Sequence, residues 1–342
     1  MADAVVARPR PAGATRFGFL VALGRQRELS LVIVMVALGT FVFSQAPQFL
    51  SASNLSQVAI VAAIIAIAAT GQALVILTRN VDLSVDAMIG VVAFSVADIL
   101  RMHALSLPLA MTYGVALGLA LGIVNGAIVS LFRVPAIVAT LGTMSVYRGF
   151  TFFLAGGRQV SLSDLPPEYI NLARAAAFGV PLYVVVAVAI VVIVTLVLQQ
   201  TRFGRQVYAV GSNPEAAAIL GIRSRLVGFL VFALCGMLAG VAGVLWGARF
   251  GTINATAANG VVLQVVAAVV VGGVNIFGGS GTIYGAALGA LFLGLIANAL
   301  TLLHLSQFWL QAIYGGVILL AVAADSAIVR RLQRAAAAGR RR

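Results

Sequence analysis

TRFGRQVYAVGSNPEAAAILGIRSRL, residues 201–226, is the longest polar interruption in the second half of an otherwise apolar chain. Arg202, Arg205, Arg223 and Arg225 flank a stretch that reads as a short capped helix. Asn213 suits the N-cap and Pro214 the first helical position. Glu215 falls in the first turn, where negative charge meets the helix dipole. Ala216, Ala217 and Ala218 are strong helix formers, and Gly221 is a natural stop at C′. On form alone this is an ordinary amphipathic loop helix. Held between two apolar runs with a small apolar face free, it also has the form of an element that docks into something.

Composition sets the class of fold around it. Hydrophobic residues make up 62% of the 342, charged residues 9%, and the mean hydropathy is +1.09. A soluble domain cannot cover that much apolar surface with so few charges. The apolar runs are too long and continuous for a membrane barrel. The expected fold is therefore an all-α polytopic membrane protein. The net charge of +13 then belongs to the edges of a membrane rather than to a nucleic-acid partner. Every basic residue is arginine, so the chain contains no GxxxxGK[ST] phosphate loop. Its single cysteine, Cys235, excludes an intrachain disulfide. No metal centre or other cofactor is expected in this chain, because its histidines and cysteine are not clustered.

Outward from residues 201–226, the apolar runs divide the chain into about ten transmembrane helices. They cover residues 30–45, 55–77, 85–100, 107–131, 136–154, 180–198, 227–250, 261–277, 283–303 and 308–324. This gives a tail over residues 1–29, a membrane domain over 30–325 and a basic tail over 326–342. An even number of spans places both termini on one side. Arg79, Arg133, the four arginines of residues 201–226 and those of both tails share that side, against Arg101, Arg158, Arg174 and Arg249 on the other. The asymmetry makes the first side cytoplasmic.

Glycines at four-residue spacing, such as Gly118, Gly122 and Gly126, suit close helix packing. Gly272-Gly273 and Gly278-Gly279-Ser280-Gly281 instead suggest a broken or re-entrant segment. Charges within apolar runs are costly and need partners. Asp82 with Arg79 and Asn80 reads as a satisfied helix start. Asp86 lies deeper and has no such reading. Asp98 has Arg101 at i+3, and Arg148 is placed to neutralise a carboxylate or line a pathway. Gln72, Phe94 and Thr143 join Asn80, Asp82, Asp86 and Arg148 as candidates for contacting a solute, although each alone is more often a packing residue.

Several motifs resemble the permease subunits of bacterial ABC importers for ribose-type sugars. They are LTRNVDLSV (77–85), VPAIVATLGT (134–143) with YRG (147–149), FGR (203–205), GSNPEAA (211–217), and VGG (271–273) with GGSG (278–281). The wording is most similar to the rhamnose and autoinducer-2 members, and the match runs over most of residues 30–325. The resemblance implies that the permease pairs with a second copy or a sister permease. It also implies a separate cytoplasmic ATPase and a periplasmic sugar-binding protein as partners. Asn213, Pro214, Glu215, Ala216, Ala217 and Gly221, with Arg205 nearby, would form the helix that couples to the ATPase.

Two positions depart from the family pattern. Asp86 stands where a glycine is usual, and Val262 stands where a glutamate is usual. Both departures would suit one half of a heterodimer. The rival to an ATP-driven importer is a secondary carrier using Asp82, Asp86 and Asp98 as proton sites. An enzyme is disfavoured, because His103 and His304 are isolated and no nucleophile–base set is present.

Overall fold

A computed structural model describes residues 27–320 and 323. The tail readings over residues 1–26 and 326–342, and the end of the tenth run, lie outside the described residues. The long helices are α1 (Arg27–Gln45), α2 (Ala52–Leu77), α3 (Val85–Arg101), α4 (Leu107–Gly126) and α5 (Ala136–Ala155). After a short α6 (Pro167–Asn171) and a two-residue hairpin, β1 (Ala176–Ala177) with β2 (Val180–Pro181), comes α7 (Leu182–Gln200). The chain continues through α8 (Arg202–Ser212), α9 (Pro214–Ile219), α10 (Ser224–Phe250), α11 (Val261–Val271) and α12 (Ile283–Leu302) to α13 (Trp309–Leu320). Seven of the helices are long and apolar enough to cross a membrane, and α11 and α13 are shorter apolar helices.

The packing is centred on α2 and α10. The most apolar window of α2 is 94% buried and that of α10 is 72% buried, whereas those of α1 and α7 are 11% and 17% buried. Alanine-rich α2 can be surrounded because its small side chains let neighbours approach on every face. Against α10, Gly71 leaves 3.0 Å between its missing Cβ and the Cα of Cys235. The most extensive pairing is α4 with α10. A Cβ on Gly118 would lie 2.5 Å from the Gly236 carbonyl oxygen and 2.5 Å from the Gly240 Cα. No side chain fits there, which is the close approach that glycines at this spacing permit in lipid. Gly118→Val is expected to destabilise the protein by about 1–3 kcal/mol or more through overpacking. Thermal unfolding in detergent checks this, and an unchanged melting temperature would contradict it.

The helices follow one another in the order expected from the sequence, with two corrections. Residues 201–226 are more than a loop with one short helix, since α8 fills Arg202–Ser212. Its N-cap is Thr201, whose Oγ1 accepts from Gly204 N at 3.2 Å. The run at 261–277 is not a full span. Its helix stops at Val271, and α11 is only 11 residues long. At 1.5 Å per residue that is about 16 Å, half of the roughly 30 Å apolar layer. The helix ends because Gly273 takes the left-handed conformation, φ 88°, with Val274 N donating back to Val269 O at 3.2 Å, while Gly272 lets the backbone press against Gly285 and Ala286 of α12.

Two segments therefore re-enter the membrane layer. After α2 the chain doubles back, so that Asp82 lies beside Gln72, five residues before the end of α2. This places the start of α3 about 7 Å inside that end. From the other face, residues 251–260 leave the end of α10 and run inward to Gly260. An isolated bridge holds this segment to the outer loop, with Val160 N donating to Ile253 O at 2.9 Å and Ile253 N to Val160 O at 2.8 Å.

Candidate functional site

Two groups of side chains meet where the re-entrant segments approach each other. The first is a polar cluster around Asp82, which is fully buried. Its Oδ1 accepts from Ser84 N at 2.9 Å and Ser84 Oγ at 2.7 Å, and its Oδ2 accepts from Asn125 Nδ2 at 3.1 Å. The Tyr147 hydroxyl donates to Leu121 O or Asn125 Oδ1, at 2.9 and 3.0 Å. In the orientation its neighbours require, the Gln72 amide donates to Asp82 O at 3.1 Å and accepts from Asp82 N at 3.2 Å. The cluster ties α2, α4 and α5 to the doubled-back turn. Asp82 is hydrogen-bonded, but by Ser84 and Asn125 rather than with Arg79 and Asn80, and the N-cap of α3 is Ser84.

The second group is a clamp on residues 251–260. Asp86 Oδ2 accepts from Gly260 N at 3.0 Å and lies 3.4 Å from Arg148 Nη2. Arg148 Nη1 donates to Ala257 O at 2.8 Å. The two side chains are 3% and 16% exposed, so this is a buried ion pair. The carboxylate faces the first turn of half-helix α11, where the backbone dipoles favour negative charge. Asp86 Oδ1 is buried and has no hydrogen-bond partner. Three elements, α3, α5 and the entrance to α11, are thus joined by one carboxylate and one guanidinium.

The other expected solute contacts are not gathered here. Phe94 is 1% exposed and packs in the apolar cluster with Val92, Val96 and Val244. Asn80 closes a local turn, donating to Thr78 O at 3.0 Å. Thr143 donates to Thr140 O at 3.3 Å on its own helix. Asp98 pairs with Arg101 at 2.8 Å, as the spacing predicts.

On the arginine-rich face, Asn213 caps α9 by accepting from Glu215 N at 3.1 Å and Ala216 N at 3.0 Å. Pro214 opens the helix, Glu215 lies in its first turn, and Gly221 follows its end with φ of 78°. Ala217 is buried, whereas Glu215, Ala216 and Arg205 are exposed. Ile219 and Leu220 are 86% and 77% exposed, a bare apolar tip. Arg79 joins this unit to the membrane core. Its Nε donates to Gly211 O and its Nη2 to Ser212 O, both at 2.6 Å. Gly279 N donates to Leu77 O at 3.0 Å, and the Tyr208 hydroxyl to Gly281 O at 2.9 Å. Burial, with a smaller push from Tyr284, raises the Tyr208 pKa, so this phenol remains a donor. The glycines at 278–281 are required because their backbone packs against Ser212 and Arg79 with φ of 82° at Gly278 and 76° at Gly279.

A family model described as branched-chain amino acid transport system / permease component matches residues 54–322. The chain belongs to this family. Among its relatives is the autoinducer 2 import system permease protein LsrC of Enterobacter sp. (strain 638), 36% identical over 91% of this chain and 90% of the relative. The proteins of the same description from Escherichia coli O9:H4 (strain HS) and Salmonella typhi are 35% and 34% identical, each over 90% of this chain and over 89% and 88% of the relative. No solved structure matches the chain. The protein is thus a polytopic inner-membrane permease of an ABC importer, a transport subunit and not an enzyme. Sequence reasoning missed Ser84 and Asn125 in the core of the permease. Asn125 was legible only as an amide inside an apolar helix.

Proposed function

We propose that this permease imports a small hydroxylated solute of the monosaccharide class, with autoinducer-2-like and rhamnose- or ribose-like compounds as the first candidates. Import proceeds by alternating access, driven by a separate ATPase docked on α9. The observation that carries this reading is the capped α9 with its bare Ile219–Leu220 tip, bonded through Arg79 to the re-entrant turn of the membrane core. An exposed Ile-Leu tip on a rigid element is a plug for a complementary groove, and Glu215 beside it supplies a charged contact. A solute-binding protein on the opposite face delivers the solute. A second permease subunit completes the pathway. The exposed face of α5 suits that pairing, because Gly142 and Gly149 have nothing within 4 Å of where a Cβ would sit.

The test is co-purification of an ATPase with the tagged permease from native membranes, alongside solute uptake by cells. Ile219→Asp and Glu215→Arg are expected to remove the ATPase while leaving the permease folded. Burial of one such aliphatic side chain contributes about 1.5–3 kcal/mol, tenfold or more in affinity. Uptake is expected to stop on ATP depletion and to survive a protonophore when ATP is maintained. Uptake that collapses with the protonophore alone would overturn the proposal in favour of a carboxylate-based proton carrier.

A further inference from the structure

A cavity of about 920 Å³ opens at the end of the molecule opposite α9. It is bounded by the first turns of α2 from Ala52 to Ile60, the loop after α6, and the end of α10. Its lining includes Arg174 and Arg249 and no acidic residue. Of the four arginines on this face, Arg101 is paired with Asp98, and Arg158 donates to backbone carbonyls of its own helix end. Arg174 and Arg249 have no carboxylate within salt-bridge distance among the described residues, and the buried Nε of Arg249 has no hydrogen-bond partner. Ser53, Ser56 and Gln57 add neutral donors.

This cavity shares Ala59 with a second one, of about 420 Å³, that is lined entirely by apolar residues and Tyr284. Three helices build the second cavity, each from one face. Ala59 to Ala66 of α2, Val184 to Val191 of α7 and Tyr284 to Leu291 of α12 all recur at three- and four-residue spacing. The groove runs along the helices for about 10 Å and opens sideways, where Val188 is 55% exposed.

We infer that the two cavities form one binding site for an anionic phospholipid, with the phosphate between Arg174 and Arg249 and an acyl chain along α2, α7 and α12. A free anion would use the first cavity alone, and an acidic protein segment would leave the groove empty. Only an amphiphile fills both. The site stands on the outer face, away from the arginine-rich side that attracts anionic lipids in general, and its two cations, exposed Arg174 and Arg249 over the Phe250 ring at 5.8 Å, face no carboxylate among the described residues.

The probe is phosphatidylglycerol, added to delipidated permease in detergent and read by native mass spectrometry and melting temperature. Phosphatidylethanolamine is the comparison lipid. The parent is expected to retain phosphatidylglycerol preferentially and to melt higher with it. Arg174→Gln and Arg249→Gln are each expected to weaken retention about fivefold, the value of one cation near an anionic surface. Val188→Trp, which fills the groove from its open side and keeps both arginines, is expected to weaken it as well. Arg101→Gln is expected to change nothing. Equal retention of the two lipids, or no loss in the arginine variants, would overturn the inference. Loss in the arginine variants with full retention in Val188→Trp would also overturn it, leaving a headgroup or acidic-peptide site without an acyl chain.

Discussion

Arg148→Ala is expected to destabilise the permease by about 3–5 kcal/mol, the cost of leaving one charge of a buried pair uncompensated. That is a large share of the roughly 5–15 kcal/mol that holds a folded protein together. Asp86 is 3% exposed, and without the guanidinium it keeps the hydrogen bond from Gly260 N but has no cation beside it among the described residues. The reverse change is expected to cost less. In Asp86→Ala the arginine, 16% exposed, still donates to Ala257 O. The double variant Asp86→Ala/Arg148→Ala is therefore expected to be more stable than Arg148→Ala alone, since no orphan charge is left. Unfolding by heat or denaturant in one detergent, run on all three variants, checks the ordering. An Arg148→Ala protein as stable as the double variant would show that Asp86 carries no buried charge needing that partner.

The same pair accounts for both departures from the family pattern. Position 86 gains a carboxylate and position 262 lacks one, and the two are far apart in sequence. In the fold, Asp86 Oδ2 sits on Gly260 N, at the start of the helix whose first turn contains Val262. A carboxylate reaching in from α3 faces the same helix terminus that a glutamate at position 262 would face from within α11. Within this chain Asp86 therefore has a partner at the start of α11. Asp86→Ala/Val262→Glu is expected to recover part of the stability lost in Asp86→Ala.

Hydropathy made the helices legible because lipid demands long apolar runs whatever the tertiary packing. The same measure misjudged residues 261–277. Nothing in the apolarity of VVLQVVAAVVV says that the chain turns left-handed at Gly273, which stops the helix at Val271. The polar composition of α8 made it read as loop, although Gly204, Val207, Val210 and Gly211 recur on one buried face and carried the helical period. The helix start at Asn213 was legible because capping is local chemistry between neighbours in sequence. The partners of Asp82 and Asp86 were not, because Asn125, Arg148 and Gly260 arrive from other elements. A carboxylate in an apolar run announces that it needs a partner without naming one.

The second large effect is expected at Arg79, and it concerns transport rather than folding. Arg79 adopts a left-handed backbone with φ of 64°, which costs a side-chain-bearing residue about 1–2 kcal/mol. Arg79→Gly therefore relieves local strain while deleting the side chain. What it removes are two charge-assisted bonds to Gly211 O and Ser212 O, about 1.5–3 kcal/mol each. These bonds join the carbonyl end of α8, immediately before α9, to the turn that leads to Asp82 and α3. On the proposed docking, a pull on α9 would reach the membrane core through this point and through the Gly279 contact with Leu77. The expected result for Arg79→Gly is a permease that stays folded but melts lower, since the two lost bonds outweigh the relieved strain, and whose uptake falls at least about tenfold, with ATP hydrolysis by the assembled importer no longer responding to solute. Arg79→Lys is expected to fall between, because an ammonium cannot bond both carbonyls in the fork geometry of a guanidinium. Arg133 provides the control. It too is left-handed, with φ of 60°, and like Arg79 it is exposed, but its side chain makes no hydrogen bond among the described residues, so Arg133→Gly should leave uptake intact. Uptake preserved in Arg79→Gly, or lost equally in Arg133→Gly, would place the mechanical link between α9 and the core somewhere other than Arg79.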